Sequence, residues 1–174
     1  MFLNIGKQLK NISHSRWYWR AVRAMGVVML VVALIYQHLL GERPCLLCIQ
    51  IRLWVSLLVL VSFAGLLLRQ NKLMNSIAHS LVVMISLGFV ERSYQLLGTE
   101  RGFIFSDFGF DLGLPAWFAI DQWLPSVYYV QTACGYTLEL ILGVIMAAAL
   151  MLFSACLFLV GTCVCLASFL RRDV

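Results

Sequence analysis

Three of the six cysteines carry the redox chemistry this sequence offers. Cys45 and Cys48 stand in the run Pro44-Cys45-Leu46-Leu47-Cys48, and Arg52 follows four residues later. Two intervening residues let the sulfurs meet in a small strained ring, so the pair can cycle between dithiol and disulfide. With Cys48 in the first turn of a helix, the helix N-terminus favours its thiolate. Arg52 then lies on the same face as Cys48, as does Cys45 if it too is helical. An arginine inside an apolar stretch is costly and is expected to serve a site or a partner. Here it would stabilise the Cys48 thiolate and attract negative charge developing on an electron acceptor. The third candidate, Cys134, lies far downstream. Cys156, Cys163 and Cys165 fall within a long apolar stretch and read as small packing hydrophobes.

Other readings of the same residues stand beside this one. The cysteine pair is also half of a zinc site, which Cys134 and His38 would complete as a Cys₃His set. The scattered single ligands and the nearby arginine speak against it, and no metal is expected. A static structural disulfide would make the protein a non-catalytic membrane scaffold. Arg52 is also within reach of snorkelling to the interface. Haem between His38 and His79 is excluded, because the two fall at opposite ends of their apolar stretches.

The elements that must hold these residues follow from composition. Of 174 residues, 62% are hydrophobic and 12% charged, against about 45–50% and about 25% in ordinary soluble domains. Mean hydropathy is +0.91. One soluble core of this size cannot hide so much apolar surface. A soluble enzyme, a disordered chain and a nucleic-acid-binding domain are all poor fits. Four stretches come near or exceed the roughly 20 apolar residues of a membrane-crossing helix: Ala24–Gly41, Pro44–Leu68, Leu73–Val90 and Leu140–Leu170. The expected fold is therefore an all-α membrane protein, a four-transmembrane-helix bundle forming one integral membrane domain over 1–174. Its spans are expected at about 22–41, 46–68, 73–95 and 140–169, with outer loops at about 42–45 and 96–139. The first span has a basic start but lacks a small-residue cleavage site, so it is expected to be retained. The fourth stretch, at 31 residues, would reach about 46 Å against about 30 Å of hydrocarbon. Tilt, a break near Gly143 or Gly161, or an interfacial first turn would absorb the excess.

Charge sets the orientation. Lys7, Lys10, Arg16, Arg20, Arg23, Arg69, Lys72, Arg171 and Arg172 fall on one side, and only Arg43, Arg92 and Arg101 on the other. The richer side, with both termini, is expected to be cytoplasmic. The net charge of +5 is thus a topology signal, and no nucleic-acid partner is expected. Cys45, Cys48 and Cys134 then face the oxidising periplasm of a bacterial inner membrane. In the long loop, Trp117, Ile120, Trp123 and Leu124 are spaced for a short amphipathic helix starting at Pro115 and lying on the outer leaflet. No nucleotide fingerprint is present, so the natural electron acceptor for a membrane bundle is a lipid-soluble quinone.

Gln37-His38, followed by Pro44-Cys45-Leu46-Leu47-Cys48-Ile49-Gln50-Ile51-Arg52, resembles the signature of the bacterial disulfide bond formation protein B family. The likeness covers most of the chain, and Arg92-Ser93-Tyr94-Gln95-Leu96 and Gly143-Val144-Ile145-Met146 are weaker matches. The vitamin K epoxide reductase family also pairs C-x-x-C with four or five spans, but there the motif lies on the last core span. The resemblance implies an electron relay. A periplasmic DsbA-like thioredoxin-fold oxidase gives electrons to a loop disulfide, which the C-x-x-C disulfide reoxidises, and ubiquinone or menaquinone reoxidises that in turn. On this pattern Cys48 is the thiolate facing the quinone, Cys45 exchanges with the loop, and Cys134 is the second loop cysteine. Arg52, Met146 and His38 join Cys48 as quinone-binding residues. Two positions depart from the pattern. Ser106 occupies the place of the first loop cysteine, about 14 residues after Arg92, and a serine cannot exchange with a disulfide. A serine introduced to arrest the cycle is the preferred reading, and a divergent member with another partner route is the other. Cys134 would then be available to pair with Cys45. Ala147 replaces the proline that often follows the methionine, which bears on the geometry around Met146.

Overall fold

The computed structural model of the chain describes residues 15–104, 120–132, 139–140 and 144–169. Ser106, Cys134, Pro115 and Trp117 lie outside them, as do Lys7, Lys10, Arg171 and Arg172. The described elements are α1 (Arg16–His38), α2 (Leu46–Leu68), α3 (Lys72–Glu100), α4 (Ile120–Trp123), α5 (Pro125–Tyr128), β1 (Glu139–Leu140), β2 (Val144–Ile145) and α6 (Met146–Phe169). Four of the helices, α1, α2, α3 and α6, are long and apolar enough to cross a membrane. The all-α bundle expected from composition is the fold observed.

The helices begin and end where local chemistry allows. Ser15 caps α1, its hydroxyl accepting from the Trp17 amide at 3.2 Å. The third helix runs past the expected limit near 95 to Glu100. Its 29 residues extend about 43 Å, more than a bilayer's hydrocarbon needs. Just before the surplus, Arg92 donates to Gln95 at 2.9 Å and Gln95 to Glu91 at 3.3 Å, and Leu96 beyond them is buried in the core. The last stretch is shortened instead. Its helix starts only at Met146, after β1 and β2 pair antiparallel with Glu139 opposite Ile145 and Leu140 opposite Val144. Gly161 remains inside the helix, so the excess length is removed before α6 rather than by a break at that glycine.

Residues 115–119 of the expected amphipathic helix lie outside the described residues. Its described part is two four-residue helices, α4 and α5, parted at Leu124. Pro125 opens the second of them at a position where a missing N–H costs nothing.

The long helices alternate in direction. Near one end, Trp19 of α1 stacks on His79 of α3, with ring centroids 4.7 Å apart. Trp19 also lies flat against Gly65 of α2, where an added Cβ would stand 2.6 Å from the indole. Gly65 is therefore what lets a fully buried tryptophan fit between two helices. Val22, Leu58, Ala78, Val82 and Ile85 complete this cluster. Toward the other end, Leu47, Ile51, Val55, Phe89, Leu96 and Ala147 form a second core around Cys45. Ser62, Ser80, Ser86 and Ser154 turn back to their own helices, Ser62 to the Leu58 carbonyl at 2.6 Å, which satisfies them without water. α1 packs along α2, α2 along α3, and α3 along α6; among the described residues, α1 and α6 form no extended contact.

Candidate functional site

The site is built on the first turn of α2. Cys45 is not helical, as one reading of the sequence had it, but is the N-cap, with extended backbone at φ −83° and ψ 170°. Its Sγ accepts from the Cys48 amide at 3.4 Å, taking the place an Asp or Ser oxygen usually fills. The cap bends the chain so that the two sulfurs stand 3.0 Å apart. Both lie against the positive end of the helix dipole, which favours negative charge there. Cys45 is buried and Cys48 half-buried.

Arg52 lies one helical turn below Cys48 and is only 7% exposed. Its Nη1 donates to the Gln37 Oε1 and, at 2.9 Å, to the Val127 carbonyl. Its Nη2 donates to the Ala33 carbonyl at 3.2 Å. All three acceptors are neutral, so the hydrogen bonds that hold this buried cation bring it no counter-charge. A buried charge without a counter-charge is costly and is tolerated where a ligand or reacting group supplies the missing one.

That guanidinium and Cys48 line an open groove between α1, α2 and α6. Met29, Leu30, Ile51, Val55, Met146 and Leu150 make its apolar walls, and Glu42, Arg43 and Pro44 its mouth. Apolar side chains thus share the lining with two cysteines, Gln37 and the guanidinium.

The structure therefore brings together Cys45, Cys48, Arg52 and Met146 from the residues singled out by sequence. Met146 is the first residue of α6 and lines the groove, and Ala147 beside it is fully buried in the core. His38 does not line the groove; its Nε2 meets the Ser126 carbonyl at 3.1 Å on the exposed side. Cys134 and Ser106 lie outside the described residues.

Sequence reasoning missed the segment that covers the site. Residues 125–132 return to the mouth of the cysteine turn. Gln37 Nε2 donates to the Ser126 carbonyl at 3.2 Å, and the Tyr128 hydroxyl bonds that of Ser56 at 2.6 Å. Tyr128 and Val130 pack on Leu46 and Ile49. The Gln131 amide donates to the Pro44 carbonyl at 3.0 Å, and Thr132 pairs with Cys45 in an isolated parallel bridge. The available signal was Gln37, an amide near the end of an apolar helix that needs a polar partner.

The family model for disulfide bond formation protein DsbB matches residues 15–164, from the cap of α1 into the last turns of α6. The chain belongs to the DsbB family. DsbB-family relatives agree: disulfide bond formation protein B 2 of Pseudomonas aeruginosa is 34% identical over 151 residues, 84% of this chain and 89% of the relative. Disulfide bond formation protein B 1 from another strain of that species matches to the same extent. The protein B of Psychromonas ingrahamii is 28% identical over 132 residues, 73% of this chain and 69% of the relative. A DsbB-family assignment and four helices able to span a bilayer make this a multi-pass membrane protein, consistent with disulfide formation.

Proposed function

We propose that this DsbB-family chain is a thiol:quinone oxidoreductase of the kind that reoxidises a periplasmic DsbA-like thioredoxin-fold oxidase and passes the electrons through Cys45 and Cys48 to ubiquinone or menaquinone, with the step from the partner arrested here by Ser106. It works as a single integral domain of the inner membrane, with the cysteine turn facing the periplasm. The observation that carries this reading is Arg52: a buried cation held only by neutral acceptors, beside two sulfurs 3.0 Å apart, on an apolar groove. A bound quinone would supply the sink for two electrons and two protons.

The chain's residues do the rest. Reduced Cys45 and Cys48 lose two electrons and two protons as the sulfur–sulfur bond closes between them. Cys48, on the groove side, is the electron donor, and the α2 dipole favours its thiolate. Arg52 offers positive charge and N–H donors where negative charge gathers on the acceptor, a preorganised stabilisation that does not have to be assembled during reaction. Val55, Met146 and Leu150 keep water from that point. Cys45, at the cap, is the sulfur that exchanges with the loop.

Ser106 in place of a loop cysteine interrupts the relay from the partner, and Cys134 is left to pair with Cys45. The bridge between Thr132 and Cys45 supports that pairing, because two further residues reach up to about 7 Å. Peptide mapping under non-reducing conditions is expected to find a Cys45–Cys134 peptide; Cys134 found solely as a thiol overturns it. The experiment that tests the function is Ser106→Cys. The variant is expected to restore quinone-dependent oxidation of a reduced thioredoxin-fold partner, and no gain over the serine chain would count against the relay.

A further inference from the structure

The polar groups over the groove form one connected set, and its centre is Gln37. This amide is 9% exposed. Its Oε1 accepts from Arg52 Nη1, and its Nε2 donates to the Ser126 carbonyl. The next carbonyl, of Val127, accepts from the same Nη1. Both hydrogens of Nη1 are thus committed, one to Gln37 and one to the covering segment. Nη2 gives one hydrogen to Ala33, so these three bonds leave the second Nη2 hydrogen and the Nε hydrogen of a side chain that lines the groove. The plane of the guanidinium is set by these three bonds. Two of them depend directly or through Gln37 on residues 126 and 127 staying docked.

We propose that Gln37 is a positioning residue which couples docking of residues 125–132 to acceptor binding in the groove. With the segment docked, Gln37 and the Val127 carbonyl hold Arg52 rigid, and its second Nη2 donor is preset for an acceptor oxygen. With the segment lifted, Arg52 loses Val127, Gln37 loses Ser126, and the donor loses its orientation. The same segment reaches Thr132 beside Cys45 and continues toward Cys134, so the position of the exchanging loop is felt at the acceptor site. Linkage makes the effect reciprocal: an acceptor that binds the docked state better must also stabilise docking. The inference rests on the quinone reading above.

Its test is hydrogen exchange of the backbone amides over 126–132 in the purified full chain, with and without a short-chain ubiquinone, alongside quinone affinity by titration. In the native protein, quinone is expected to slow exchange of this segment about five- to ten-fold, the low end of ordinary coupling. Gln37→Leu is expected to speed exchange there, weaken quinone binding by a similar factor, and abolish the protection. His38→Ala provides a second variant that is exposed and touches neither Arg52 nor the groove. By loosening Ser126 it is expected to speed exchange and also weaken quinone binding, a remote effect that a purely structural role for Gln37 would not produce. Quinone binding that leaves exchange over 126–132 unchanged overturns the coupling alone. Faster exchange in His38→Ala with unaltered quinone affinity does the same. No binding to the native chain overturns the quinone reading and the coupling with it.

Discussion

The two ends of this bundle bury polar groups in opposite ways. At the end where α1 starts, Trp19 is closed in between His79 and Gly65, ring against ring and ring against backbone, with Asn75 buried nearby. Its core positions are filled by Leu58, Val82 and Ile85. At the cysteine end, Arg52 is nearly as deeply buried, yet it borders free space and its hydrogen bonds end on neutral oxygens. Burial of a polar side chain thus does not distinguish a structural cluster from a reactive one. The distinction lies in whether a charge is left unbalanced next to a space that a ligand can enter.

Substitutions sharpen this contrast. Cys48→Ser is expected to have the largest effect, complete loss of quinone reduction driven by a small dithiol, because oxygen cannot replace sulfur in the exchange. The folded fraction by circular dichroism should stay as in the native protein. Arg52→His is expected to raise the apparent KM for quinone about ten- to hundred-fold, as a preorganised charge is lost from the acceptor site. An unchanged KM would remove Arg52 from the groove's chemistry. At the opposite end, Gly65→Val should cost about 1–3 kcal/mol of stability by forcing the Trp19 ring from its seat. Thermal unfolding in detergent reads this, and quinone KM per folded molecule should not move. The smallest effect is expected from Tyr128→Phe, about 1 kcal/mol, for the lost bond to Ser56. A shift in KM larger for Gly65→Val than for Arg52→His would erase the distinction between the ends.

Much of this was legible in the chain itself, for physical reasons. Long apolar runs in lipid have one common solution, so α1, α2, α3 and α6 follow from hydropathy. Cys48 and Arg52 fall on one face because helical spacing puts them there. The cap role of Cys45 was not legible, since a residue before a helix and one in its first turn share the same spacing. The boundary of α6 was hidden as well: Leu140 and Val144 are as apolar as the span they precede, and only their pairing with neighbours withdraws them from the helix. The docking of residues 125–132 depends on carbonyl oxygens of Ser126 and Val127, and every residue has a carbonyl. Side-chain patterns carry no record of which backbone oxygen a distant arginine will find.

The thin seam between α1 and α6 has a consequence for measurement. A molecule that reaches Arg52 through that seam arrives from the bilayer and not from the surrounding water. Its effective concentration is then a mole fraction among lipids, fixed by partitioning. Diluting the protein into more micelles at constant total quinone should raise the apparent KM in proportion to the added detergent, with turnover at saturation unaltered.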